Sequence, residues 1–193
     1  MKLDAAQRAQ LDLFEEMLHH WGPRLGLVAR GDLVRLRQRH IEDCLRAARS
    51  VLPTDKLAYD LGSGAGLPGL VLAVAVPTCR FVLVESRGKR AAFLELVVAR
   101  LGLSNAEVAH GRAEDLSTPA DLVTARAFAP LERTWRVAHP LLRRGGRLVF
   151  FAGKGEDPSR AARLIDPEPP ANVEMDVEKG LANQGPLVIM ARG

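Results

Sequence analysis

Cysteine, tyrosine and long apolar runs are what this chain of 193 residues has least of. Its two cysteines, Cys44 and Cys79, stand far apart, outside any CxxC or Cys/His spacing. That argues against a zinc site or a disulfide framework and makes both small buried residues. No apolar run reaches the length of a membrane span, and the opening MKLDAAQRAQLDLFEEM mixes acids into every turn instead of forming a signal peptide. A cytoplasmic protein with no membrane partner is expected. Neither sign of charge dominates, since 27 Lys+Arg stand against 23 Asp+Glu for a net charge of +4. Distribution matters more than the total. Arg24, Arg30, Arg35, Arg37, Arg39, Arg46 and Arg49 crowd one stretch, and Arg143, Arg144 and Arg147 another. Such stretches are either faces that attract a polyanion such as RNA or solvated sides of helices.

What is present begins with helices. Leu11, Phe14, Leu18 and Trp21 recur at helical spacing, which predicts an amphipathic helix over 4–20 ended by Gly22 and Pro23. Asp32 is placed to cap a second helix from Leu33 to Ser50, which puts His40 and Asp43 on one face. Pro53 closes this preface, so residues 1–53 read as a helical extension and 54–193 as the main domain. From Leu57 onward short apolar runs alternate with helical patterns. Strands are expected at Leu57–Leu61, Arg80–Glu85, Ala106–His110, Asp121–Ala125 and Gly146–Ala152, with two more near Val173–Val177 and Leu187–Ala191. Helices are expected from Pro68 to Val76, Lys89 to Leu101 and Leu131 to Leu142, and Asp166–Pro170 reads as a loop. This βαβα order predicts an α/β fold with a parallel sheet covered on both faces.

The chain is organised around LAYDLGSGAGLPG at Leu57–Gly69. A strand runs into glycines that leave the backbone bare where a ligand approaches, and Pro68 suits a first helical turn. In an open parallel sheet this position, beyond the carboxyl end of strand 1, is where ligands bind. Glu85 ends strand 2 about 20 residues later, as an acid accepting from both hydroxyls of an adenosine ribose does. Gly64, Gly66 and Gly69 also satisfy GxGxxG, so a nicotinamide dinucleotide competes with S-adenosylmethionine. Two details favour the methyl donor. Asp60, just before the glycines, would repel a pyrophosphate but can hold an ammonium directly or through water. Ala113 and Glu114, in HGRAEDL after strand 3, can bracket an adenine. Tyr59, the only tyrosine, lies within strand 1, so no tyrosine/lysine pair for hydride transfer is evident.

The acceptor is approached by elimination. After strand 4 the chain has TARAFAPL, without the Asn/Asp-Pro-Pro-aromatic segment of exocyclic amino methylation, and no cysteine lies near strands 4 or 5 for carbon-5 pyrimidine chemistry. Arg126 and Lys154 stand at those strand ends instead. They suit an acceptor that is already a nucleophile, such as guanine N7, which asks for alignment and grip and no general base.

The motifs HIEDCL, DLGSGAGLPGL, ESRGKRAAFL, RAEDL, ARAFAPL and GKG, the last at Gly153–Gly155, together resemble the ribosomal RNA small-subunit methyltransferase G family, also called glucose-inhibited division protein B. The resemblance covers most of the chain. It implies a Rossmann-like seven-stranded methyltransferase fold with an N-terminal helical extension, acting on 16S rRNA or the small ribosomal subunit; separately, a monomer is expected. It also implies methyl transfer from S-adenosylmethionine to N7 of a guanine. Carried over, Arg126, Lys154, His40 and Asp43 become catalytic or RNA-contacting candidates. Asp60, Gly62, Ser63, Gly64, Gly66, Leu67, Glu85, Ser86, Ala113, Glu114 and Arg126 become the cofactor site. The chain departs from the family where Trp-Asn and Asn-Leu-Thr are usual, with Gly22 after Trp21 and then Gly26, Leu27 and Val28. Gly185 and Pro186 stand where an arginine commonly precedes the last strand. These losses leave a second reading, a divergent relative that binds the donor and RNA without transferring a methyl group.

Overall fold

The computed structural model describes residues 2–154, the backbone of 172–176 and residues 185–193, except the side chain of Arg30. Gly155, the loop expected at Asp166–Pro170 and Val177 lie outside the described residues. Helix α1 (Ala5–Leu25) starts at a capping box, in which Asp4 and Gln7 each accept from the other's backbone N–H. It buries Leu11, Phe14 and Leu18. It does not end at Gly22 and Pro23 as expected. Near a helix end Pro23 forfeits a single N–H bond, and the chain turns only at Gly26, at φ 62°, whose N–H reaches the Gly22 carbonyl.

The single helix expected over Leu33–Ser50 is broken instead. A 3₁₀ turn (Arg30–Arg35), a π turn (Arg37–Ile41), the short α2 (Glu42–Arg46) and another 3₁₀ turn (Ala47–Ser50) follow one another. Asp32 caps nothing, because its carboxylate binds the Arg39 guanidinium. Arg37 meets Asp12 at 2.7 Å and Glu15 at 3.0 Å, tying the π turn to α1. Three arginines of the first basic stretch, Arg37, Arg39 and Arg46, therefore face acids of this chain.

Seven strands form one sheet: β1 (Leu57–Leu61), β2 (Arg80–Glu85), β3 (Ala106–His110), β4 (Ala120–Arg126), β5 (Leu142–Phe151), β6 (Asn172–Asp176) and β7 (Leu187–Ala191). Their order is β3-β2-β1-β4-β5-β7-β6. The first five pair in parallel, but β7 pairs antiparallel with both β5 and β6, so the sheet is mixed rather than wholly parallel. Helices α3 (Gly69–Ala75), α4 (Gly88–Leu101) and α5 (Leu131–Leu141) connect the parallel strands. Strand β5 begins at Leu142, directly after α5 and earlier than expected, with a register shift opposite Ala120 and Leu122.

Alternation along each strand divides the core in two. Ala58, Phe81, Leu83, Leu122 and Val149 face α1, α3 and α4, and the buried residues from 28 to 51 join this same cluster. Tyr59, Val82, Val84, Val123 and Leu148 pack with Trp135 and Ala138 of α5. The helical preface thus shares a core with the sheet. It also closes helix ends, since Gln7 Nε2 donates to the carbonyls of Val74 (2.9 Å) and Ala75 (3.3 Å), and Gln10 Nε2 to that of Leu101 (2.7 Å). Among the described residues no helix is long and apolar enough to cross a membrane. At the rim where the parallel strands begin, Arg147 meets Asp55 and Arg143 meets Asp121. Those two arginines are occupied far from the glycine loop.

Candidate functional site

The loop after β1 is held from beneath and from one side. Gly62, Gly64 and Gly66 take φ of 64°, 53° and 87°, and the backbone of Ser63 is pinned to Val84 and Gly66. From the side, Glu85 Oε2 accepts from the Gly64 N–H at 3.0 Å while its Oε1 accepts from Arg87 N–H at 2.8 Å. Each carboxylate oxygen keeps acceptor capacity for one more donor. A Cβ at Gly64 would stand 4.0 Å from Glu85 Oε2, so glycine here keeps the approach to that carboxylate open. From beneath, Asp60 is fully buried, accepting from Thr124 Oγ1 at 2.7 Å and from the Gly69 N–H at 3.2 Å.

Burial pushes the Asp60 carboxyl up to about 6, with the hydroxyls of Ser63 and Thr124 and the Gly69 N–H opposing it. The folded chain therefore holds a proton that the unfolded chain releases near 3.8. Between those values the folded state binds the extra proton, so this group's stabilisation is complete below pH 4 and lost as the pH passes 6. The loss is about 3 kcal/mol. In urea unfolding at pH 4 to 7, Asp60→Asn should gain stability relative to the wild type by about that amount as the pH rises. A difference that does not change with pH refutes the assignment.

Arg126 ends β4 and points at the broken helix. Its Nη2 donates to His40 Nδ1 at 2.9 Å and to the Arg39 carbonyl at 3.3 Å. Its Nη1 reaches the His40 carbonyl at 3.4 Å and Cys44 Sγ at 3.2 Å. Asp43 Oδ2 lies 3.5 Å from Nη2, and the Phe151 ring 5.8 Å from the guanidinium carbon. Arginine only donates, so His40 Nδ1 accepts and the ring proton sits on Nε2, which is buried without a hydrogen bond, 3.7 Å from Asp32. Burial first, and the Arg126 charge second, lower the His40 pKa. The imidazole is therefore neutral at neutral pH. Burial likewise pushes the Cys44 thiol up to about 12, which leaves it a hydrogen-bonded filler and no nucleophile.

Two clefts meet at this arginine. One, about 220 Å³, runs along Gly62, Ser63, Gly64, Ala65 and Leu67 to Val28 and Arg90. The other, about 230 Å³, is lined by Arg39, Asp43, Arg46, Phe151 and Gly185. His40, Arg126 and Ala127 line both. Ala127 has φ 52°, a left-handed conformation that costs an L residue about 1 kcal/mol and turns the chain out of β4 beside the shared wall.

Of the residues singled out from sequence, His40, Asp43 and Arg126 come together, and the glycine loop with Ser63 and Leu67 stands next to them. Asp60 lies under the loop rather than in the cleft. Ala113 and Glu114 form a 3₁₀ turn (Ala113–Asp115) after β3, joined to the end of β2 through Gly111 N–H on the Glu85 carbonyl. Ser86 is exposed beside Glu85, and Lys154 is exposed past the end of β5 and lines neither cleft. Two participants were missed. Arg46 places Nε and Nη2 on Asp43 Oδ1 at 3.0 and 2.6 Å, and its Nη2 also reaches the Gly185 carbonyl at 3.0 Å. The acid-to-base spacing of three was its signal. Thr124, a lone hydroxyl in an apolar strand, was the signal for the support under Asp60.

Residues 7–166 match the family model described as rRNA small subunit methyltransferase G. The ribosomal RNA small subunit methyltransferase G of Acidothermus cellulolyticus is 43% identical over 140 residues, 72% of this chain and 63% of that one. Its counterpart in Acidiphilium cryptum is 43% identical over 150 residues, 76% and 69% of the two chains. This chain therefore spans 63% of the length of the first relative and 69% of the second. Among solved structures, a SAM-dependent O-methyltransferase of Thermotoga maritima superposes with TM-score 0.63 at 16% identity, covering 83% of this chain and 69% of that one. An rRNA methylase of Streptococcus thermophilus gives 0.57 at 16%, covering 80% and 96%. At such identities the likeness is one of fold.

Proposed function

The chain belongs to the rRNA small subunit methyltransferase G family, and from that premise we propose that it transfers a methyl group from S-adenosylmethionine to N7 of a guanine in 16S rRNA. The observation that carries this reading is the meeting of two clefts at Arg126, one floored by the glycine loop and one walled by arginines and a carboxylate. S-adenosylmethionine supplies a methyl group on a sulfonium. The N7 lone pair forms the new bond as the carbon–sulfur bond breaks and its electrons return to sulfur. No proton is removed, so the protein's part is alignment and burial.

The loop fits the donor. The remaining acceptor positions of Glu85 take the two ribose hydroxyls, and Ala113 and Glu114 stand beside the adenine. Asp60 acts through the loop, holding Gly69 and Thr124 rather than reaching the ligand itself. Arg126 faces the guanine from the shared wall, and His40 and the carbonyls of residues 39 and 40 hold it there. Lys154 meets the RNA backbone from outside the clefts. The partner is the small ribosomal subunit, and the chain works as a cytoplasmic monomer in which the extension 1–53 and the domain 54–193 form one unit.

Glu85→Ala should weaken binding of S-adenosylhomocysteine by about 1 to 3 kcal/mol, read by titration calorimetry. Unchanged affinity would remove Glu85 from the site. Transfer itself is tested with tritium-labelled donor and unmodified small subunits, with the labelled base identified after digestion. Label on guanine N7 is expected. The second reading, binding without transfer, draws on Val28, an apolar side chain lining the donor cleft where the family usually carries a polar one. Donor binding with no label on naked RNA, assembly intermediates or mature subunits would decide for it.

A further inference from the structure

Asp43 is a buried carboxylate with two unlike oxygens. Oδ1 is taken by two bonds from Arg46, which also holds the Gly185 carbonyl. Oδ2 points past Arg46 to within 3.5 Å of Arg126 Nη2, too far for a good hydrogen bond, and Asp43 lines the second cleft. Arg126 commits both Nη1 hydrogens to the His40 carbonyl and Cys44 Sγ and both Nη2 hydrogens to His40 Nδ1 and the Arg39 carbonyl, so its Nε–H is the donor left over beside that acceptor. A phosphate does not suit the acceptor, because a carboxylate repels it. A base edge that offers an acceptor beside a donor does.

Resting on the methyl-transfer reading above, we propose that Asp43 and Arg126 together read the Watson–Crick edge of the flipped guanine: the Nε–H of Arg126 donates to O6 and Asp43 Oδ2 accepts from N1–H. The order of groups supports this. Around the guanine perimeter N7, O6 and N1–H follow one another, and along the protein the donor cleft, Arg126 and Asp43 follow one another. With O6 on the shared arginine, N7 turns toward the donor cleft and N1–H toward Asp43. Adenine presents the reverse pair, a donor at N6 and an acceptor at N1, and sets like against like at both residues. Uracil presents the matching pair but has no N7 to methylate. Arg46 is the positioning residue, since it fixes the rotamer of Asp43 and leaves Oδ2 free. Gly185 must lack a side chain for this, because a Cβ there would lie 2.0 Å from the Ala152 carbonyl oxygen.

The test uses the full chain and small subunits rebuilt with one substituted nucleotide at the guanine that wild-type enzyme labels. Inosine keeps O6 and N1–H and lacks only the 2-amino group, whereas 2-aminopurine lacks O6 and presents N1 as an acceptor. Wild type should methylate inosine within about tenfold of guanine in kcat/KM and 2-aminopurine at least about 100-fold less well. This arm needs no variant, and equal use of guanine and 2-aminopurine overturns the proposal. Asp43→Asn keeps an oxygen for Arg46 but can turn an amide N–H toward the base. It should lose about 100-fold on guanine and narrow the guanine to 2-aminopurine ratio to within tenfold, with S-adenosylhomocysteine affinity unchanged. A variant that loses activity on both bases equally, keeping the wild-type ratio, assigns Asp43 a purely structural role and overturns the proposal. If wild type labels no guanine at all, the methyl-transfer reading fails instead, so the two failures are distinct.

Discussion

Gly69→Ala is expected to destabilise the fold by about 3 kcal/mol and to abolish donor binding at temperatures where the wild type is folded. The residue opens α3 directly over Asp60, and a Cβ there would lie 2.4 Å from Leu83 Cδ2, 2.6 Å from Asp60 Oδ2 and 2.8 Å from Asp60 Cβ. All three atoms belong to residues that solvent does not reach, so none can swing aside. Relieving the contact means lifting the start of α3, which breaks the Gly69 N–H bond to Asp60 and tilts the loop that precedes it. Gly31→Ala, with nothing within 4 Å of the added carbon, is the control and should leave stability within about 0.5 kcal/mol. Urea or thermal unfolding compares them, and wild-type stability in Gly69→Ala would contradict the packing described under the loop.

Arg126→Ala should lower the rate of methyl transfer by about 10² to 10³ while changing S-adenosylhomocysteine affinity less than tenfold. The guanidinium satisfies two backbone carbonyls, His40 Nδ1 and Cys44 Sγ from a single plane and stands beside Asp43. An ammonium is a point charge on a flexible stem and cannot span those partners. Arg126→Lys should therefore be nearly as slow as Arg126→Ala. Single-turnover rates on unmodified subunits separate the outcomes: recovery to within tenfold of wild type by lysine would mean that charge alone is required.

The strands were legible because each carries its own signal. Arg80–Glu85, Ala106–His110 and Leu187–Ala191 lie where composition and turn residues put them. What the strand pattern does not encode is direction, so the reversal of β7 shows only in its antiparallel pairing with β5 and β6. The region from Arg30 to Ser50 misled for another reason. Helical periodicity is an average over turns, and Asp32 is needed by Arg39 more than by a helix end. The site divides in the same way. Glycines announce a ligand loop through their backbone freedom, and the acid at Glu85 follows from its strand. Arg46, by contrast, matters through a contact with Gly185 across the length of the chain. Only the folded sheet brings those two together.

The amides of Gln7 and Gln10 join the first turns of the chain to the far ends of α3 and α4. Each of those helices starts at the donor cleft, α3 from the glycine loop and α4 beside Glu85, and each finishes on α1. Loosening of α1 is therefore expected to reach the pocket as slack in two struts, without any ligand contact having been touched. Hydrogen exchange is expected to show the cleft and the first helix opening together, so that the free energy that keeps the donor loop closed includes that of seating a helix at the opposite end of both struts.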